Sequence, residues 1–70
     1  MKIKVNGQIK ELHPKEENHS LDSVINQLGY HPQLIVVEFN GIILEPSKWG
    51  KQEVKDGDSL EIVTIVGGGS

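Results

Sequence analysis

SLDSVINQLG, from Ser20 to Gly29, is the one sustained segment whose apolar residues recur at helical spacing, and it limits the rest of the architecture. Leu21, Val24, Ile25 and Leu28 fall on one face. Ser20 is placed to cap the first turn by accepting a hydrogen bond from a free backbone N–H, and Asp22 favours the positive end of the helix dipole. Gly29 can supply the positive φ that ends a helix, and Pro32 prevents its resumption. A single helix with a single apolar face can bury it only against one side of a sheet, so the fold class is α+β in two layers.

The remaining segments supply that sheet. From Met1 to Leu12 an apolar–polar alternation is interrupted by Asn6-Gly7, a strong short-range hairpin signal. A two-residue loop would set Ile9 opposite Lys4. A three-residue loop with Gly7 left-handed would set Ile9 opposite Ile3 and give both a buried face, and this is the register expected. His13 to His19, which includes Pro14, reads as a connection. Leu34 to Phe39 (LIVVEF) is too short for a stable helix and rich in β-branched residues, so it reads as a well-buried strand. Asn40-Gly41 turns it back into Ile42–Leu44. EPSKWG suggests a short helical turn whose Trp49 indole covers an edge of the core. After a turn at Asp56-Gly57-Asp58, Leu60–Val66 forms a last strand, expected at the centre of a mixed sheet beside the first.

Seventy residues allow one domain, near the lower limit at which a hydrophobic core holds a fold unaided, with no room for a separate catalytic domain. The chain is 36% hydrophobic and 24% charged with the signs interspersed, a globular balance. Without cysteine there are no disulfides, thiolate nucleophiles or cysteine zinc sites, in keeping with a reducing compartment. A net charge of -3 and no arginine argue against a nucleic-acid ligand. MKIKVNG lacks the apolar core of a signal peptide, and no apolar run approaches the ~20 residues that span a bilayer, so the expectation is a soluble, cytoplasmic protein away from membranes.

His13, His19 and His31 are irregularly spaced on connections, which argues against a metal site. Glu16-Glu17 and Asp56/Asp58 read as solvated turn residues, and no catalytic residue is assigned. The last strand is less ordinary. If Leu60 and Ile62 point inward, Glu61, Val63 and Ile65 point outward. With Ile35, Val37 and Phe39 inward, Val36 and Glu38 also point outward. Val36, Val63 and Ile65, edged by acidic residues, make either a docking patch for another protein or a sheet face that tolerates valines. The patch leads into GGGS. Residues 1–66 are therefore the folded domain and 67–70 a glycine-rich tail, which by itself reads either as a linker or as a thread slim enough for a narrow space.

The whole chain resembles the ubiquitin-like sulfur carriers, in particular the ThiS family of thiamin biosynthesis. The resemblance is carried by MKIKVNG, the short amphipathic helix, VVEFNG, PSKW, KDGDSLEIV at Lys55 to Val63, and the final IVTIVGGG. It implies a β-grasp (ubiquitin-like) fold, about five strands packed on one main helix, and chemistry at the C-terminus. In such carriers the carboxylate of the final glycine attacks ATP in an E1-like adenylyltransferase of the ThiF type, which uses Mg²⁺. A persulfide donor then displaces AMP to leave a thiocarboxylate, and thiazole synthase, of the ThiG type, takes the sulfur. By that resemblance Gly68 and Gly69 carry the reactive end, with Gly67 as spacer; Val36, Glu38, Val63 and Ile65, outward by the alternation above, are the expected partner face. The carrier binds no cofactor and is a co-substrate, not an enzyme. The small subunit of molybdopterin synthase shares fold and tail, and a ubiquitin-like interaction module without terminal chemistry is the reading of a different class. Reactive family members end on glycine, whereas Ser70 here holds the Gly69 carboxyl in a peptide bond; it could be removed by a protease, be an expression remnant, or signal an altered role.

Overall fold

Both Asn-Gly pairs close two-residue hairpins, with φ of 50° and 82° at Asn6-Gly7 and 50° and 87° at Asn40-Gly41. Two successive positive φ values define the turn whose twist matches that of the flanking strands, and asparagine is among the few side chains that tolerate the first of them. The computed structural model describes residues 1–13 and 19–65. The first turn joins β1 (Lys2–Val5) to β2 (Gln8–Glu11), and the second joins β3 (Ile35–Phe39) to β4 (Ile42–Leu44). Between the hairpins lie α1 (Leu21–Leu28) and a 3-10 turn at Pro32–Leu34; α2 (Pro46–Trp49) and β5 (Ser59–Thr64) follow. Most of the His13–His19 connection and the end of the expected last strand, Val66, lie outside the described residues.

The sheet order is β2-β1-β5-β3-β4. As expected, the last strand is central, parallel to β1 and antiparallel to β3. Helix α1 covers one side of the sheet, so the mixed five-stranded β-grasp expected from the resemblance is the fold found. Ile3 and Val5 from β1, Ile35 and Val37 from β3, and Leu60 and Ile62 from β5 meet Leu21, Val24 and Ile25 of α1 in one buried cluster. Burying each such side chain contributes about 1.5–3 kcal/mol. Trp49 is part of the cluster at 2% exposed, deeper than an edge cover, and its indole Nε1 donates to Leu44 O at 3.0 Å.

Three local expectations are corrected. The first hairpin does not adopt the three-residue loop: Lys4 pairs with Ile9, and Ile9 is 64% exposed. All four residues of β2 are exposed, so no apolar burial was available there to outweigh the preferred two-residue turn. Ser20 occupies the N-cap position but makes no side-chain cap; its hydroxyl donates to Asp22 Oδ1, and that same oxygen accepts the Ser23 N–H. The adjacent carboxylate, a stronger acceptor than a hydroxyl, takes the free helix donor. Pro32, expected only to prevent α1 from resuming, opens a 3-10 turn that contains Leu34, so β3 starts at Ile35. Gly29 ends α1 as anticipated, with φ 85°.

Candidate functional site

The bare side of the sheet is organised by β5, because both neighbouring hairpins grip it. Asn6, at the end of β1, lays its carboxamide along β5 like one more rung: Oδ1 accepts the Ile62 N–H at 2.7 Å and Nδ2 donates to Ile62 O at 3.1 Å. Asn40 does the same from the other flank, where its N–H donates to Ser59 O at 2.8 Å and its Oδ1 accepts the Ser59 N–H at 2.9 Å. Asn40 Nδ2 also donates to Asp58 Oδ1, and Asp58 Oδ2 accepts the Lys55 N–H, so this turn carboxylate ties the start of β5 rather than merely facing water. Asp56 likewise accepts the Lys2 N–H at 2.7 Å. At the far end Ile65 N–H donates to Leu34 O at 2.6 Å, holding the chain on the sheet as far as the last described residue.

On this fixed strand the alternation works out as expected. Leu60 and Ile62 are buried, while Glu61, Val63 and Ile65 are exposed. Val36 pairs with Val63 and Glu38 with Glu61, which brings four of these outward residues into two adjacent rows. Val63 is 61% exposed, Ile65 50% and Val36 37%. The structure thus brings together Val36, Glu38, Val63 and Ile65. It adds one residue that sequence reading left out: Ile43, paired with Glu38 on β4 and 66% exposed, extends the acidic row to the sheet edge. The signal was present, since a two-residue turn at Asn40-Gly41 fixes that register. Ile9 also lies on this side, but its row runs through Lys4 on β1 to Ser59 at the start of β5, away from Val63.

Four large apolar side chains and two carboxylates on one bare sheet suit contact with another protein. An open cavity of about 410 Å³, lined by Met1, His19, Glu53, Val54, Lys55 and Asp56, lies before the start of β5, at the other end from Ile65. Among the described residues no three His, Asp or Glu side chains converge on a metal position, and no helix is long and apolar enough to cross a membrane. The expected reactive end, Gly67, Gly68 and Gly69, lies outside the described residues, as does Ser70.

Comparison with known proteins agrees with this arrangement. The sequence model of the ThiS family matches residues 3–69. The crystal structure of a thiamine biosynthesis protein (ThiS) from Geobacter metallireducens superposes with a TM-score of 0.80 at 30% identity, covering 99% of this chain and 100% of that one. A thiazole synthase of Paramagnetospirillum magneticum is 33% identical over all 70 residues, and the chain spans 21% of its length. An uncharacterized protein, ycf40, of Trieres chinensis is 38% identical over 50 residues, 71% of this chain and 68% of that protein.

Proposed function

The chain belongs to the ThiS family, and from that premise we propose that it is a sulfur carrier of thiamin biosynthesis that offers its glycine end to partner enzymes. The carrying observation is the continuity of the exposed face with the chain's exit. Val63 stands on β5 and Ile65 directly follows that strand, and in the sequence Val66 and the three glycines come next. A partner that covers this face docks beside the point from which the sequence continues into its glycines. Docking energy spent on the rigid body can then position an acyl end that has no side chains of its own.

In this reading the Gly69 carboxylate, once terminal, attacks the α-phosphorus of ATP in an E1-like adenylyltransferase, and pyrophosphate leaves. The outer sulfur of a persulfide donor attacks the acyl carbon and AMP departs, leaving an acyl disulfide; a second thiolate of the donor then attacks the donor-side sulfur, so that the S–S bond to the carrier breaks, a disulfide forms on the donor and the carrier leaves as a thiocarboxylate. The activating enzyme supplies Mg²⁺ and the electrostatic stabilisation, so the carrier acts as a co-substrate. Thiazole synthase is the proposed acceptor of the sulfur. Similarity of the entire chain to a segment of a thiazole synthase supports that pairing, because it puts carrier-like and synthase sequence on one polypeptide. Together with the ThiS neighbour it favours the thiazole pathway over the molybdopterin one.

The test is intact mass. The chain, ending at Ser70 or at Gly69, is incubated with an E1-like adenylyltransferase, ATP and a persulfide donor. Exchange of one oxygen for sulfur on the Gly69 form alone is expected. An unchanged mass in that form would leave the chain an interaction module without terminal chemistry.

A further inference from the structure

The docking face contains a pairing that the free chain would be better without. Ile65 N–H donates to Leu34 O and Asn40 N–H to Ser59 O, so alternate pairs between these rungs carry the two-bond exchange. Glu38–Glu61 is one of them. Their side chains leave the same face of the sheet, directly opposite each other, where like charges destabilise. Among the described residues neither carboxylate has a hydrogen bond or ion pair, and the ion pair present is Lys55–Glu53, elsewhere on the surface. Lys4, on the same face of β1, pairs across to Ser59 and makes no salt bridge with Glu61.

What surrounds the two carboxylates makes them more than solvated surface charge. Ile43 continues their row on one side, and Val36 and Val63 form the next row along the strands. A protein surface that rests on Val63 and Ile43 together must strip water from both acids. Two adjacent carboxylates taken out of water without a counter-charge would cost more than the neighbouring apolar contacts return.

We propose, on the docking reading above, that the Glu38–Glu61 pair receives a cationic side chain, best an arginine, projecting from an otherwise apolar surface of the docked protein. A guanidinium is planar, carries five donors and loses hydration more readily than an ammonium, so one group can bridge two carboxylates set side by side. The pair then fixes the register of the carrier on its partner and rejects apolar surfaces that lack the cation. The liability in the free chain becomes a selectivity device in the complex.

Glu61→Lys tests this because it acts with opposite signs on the two states. In the free chain it turns a repulsive cross-strand pair into an attractive one, so the thermal midpoint rises. In titrations against the E1-like adenylyltransferase and against thiazole synthase it sets a cation against the partner's cation, and the Kd rises about 100-fold. Glu61→Gln gives a smaller loss, about tenfold. Wild-type affinity in both Glu61 variants, with Val63→Asp failing to bind, would overturn the acid-pair assignment and leave the docking face standing. Wild-type affinity in Val63→Asp, with a circular dichroism spectrum that confirms the fold, would remove the face itself and the acid pair with it.

Discussion

Val37 and Ile62 are sealed beneath the helix at 0% and 6% exposed, while their chain neighbours Val36 and Val63, on the bare side, stand 37% and 61% exposed. All four residues are β-branched and apolar, and the strands are the same. The difference is that α1 lies over one side and no element of the described chain lies over the other. On the covered side an apolar residue is explained by folding, since removing it costs stability. On the bare side it stabilises the monomer little, and the proposed docking role accounts for its presence. The contrast also separates two kinds of mutation that sequence alone would class together.

The largest effect breaks the covered side. Leu60 is fully buried at the centre of the sheet, and Leu60→Ala should cost about 2–5 kcal/mol, read as a lower urea midpoint. Val63→Ala, three residues along the same strand, should stay within about 0.5 kcal/mol of wild type while weakening partner binding. Equal destabilisation by the two changes would end the division between a folding side and a docking side.

A smaller effect sharpens how the two sides are held in register. Asn6 makes two hydrogen bonds to the Ile62 backbone and holds a φ of 50°. Asn6→Ala removes both bonds and places a less tolerant residue in the left-handed region, for an expected loss of about 1–3 kcal/mol. Asn6→Asp keeps the oxygen that accepts the Ile62 N–H and should lose about half as much. Denaturant titration of the two variants gives the order, and an Asp variant as weak as the Ala variant would show that the donated bond to Ile62 O is the one that matters.

The sequence revealed the elements more readily than their use of polar side chains. The helix was legible because Leu21, Val24, Ile25 and Gly29 carry both its face and its end. The outward set of Val36, Glu38, Val63 and Ile65 followed from a period of two on strands whose inward residues were plain. Three details depended on competition between groups that spacing does not rank. Ser20 and Asp22 both could serve the first helical turn, and the carboxylate won. Asn6 and Asn40 announced turns, but nothing local showed that their carboxamides reach across to β5. Ile43 belongs to the face only through pairing across the Asn40-Gly41 turn, a relation between strands rather than a pattern within one.

The smallest expected effect bears on the register that sequence reasoning favoured and the structure replaced. In a three-residue loop Ile9 would pack beside Ile3, and Ile9→Thr would place a hydroxyl in the core and cost about 1–3 kcal/mol. In the two-residue loop Ile9 pairs with Lys4 and is mostly in water, so Ile9→Thr should shift stability by no more than about 0.5 kcal/mol. Partner affinity should be equally indifferent, because Lys4 on β1 stands between Ile9 and the strand that bears Val63. A change silent in both assays would show that exposure on the bare side is not enough for function: an apolar residue there must also adjoin the rows of Val63 and Glu61. A loss of binding without a loss of stability would instead extend the docking face across β1 to the β2 edge, and the cation proposed to meet Glu38 and Glu61 would then sit near the middle of the contact rather than along one side.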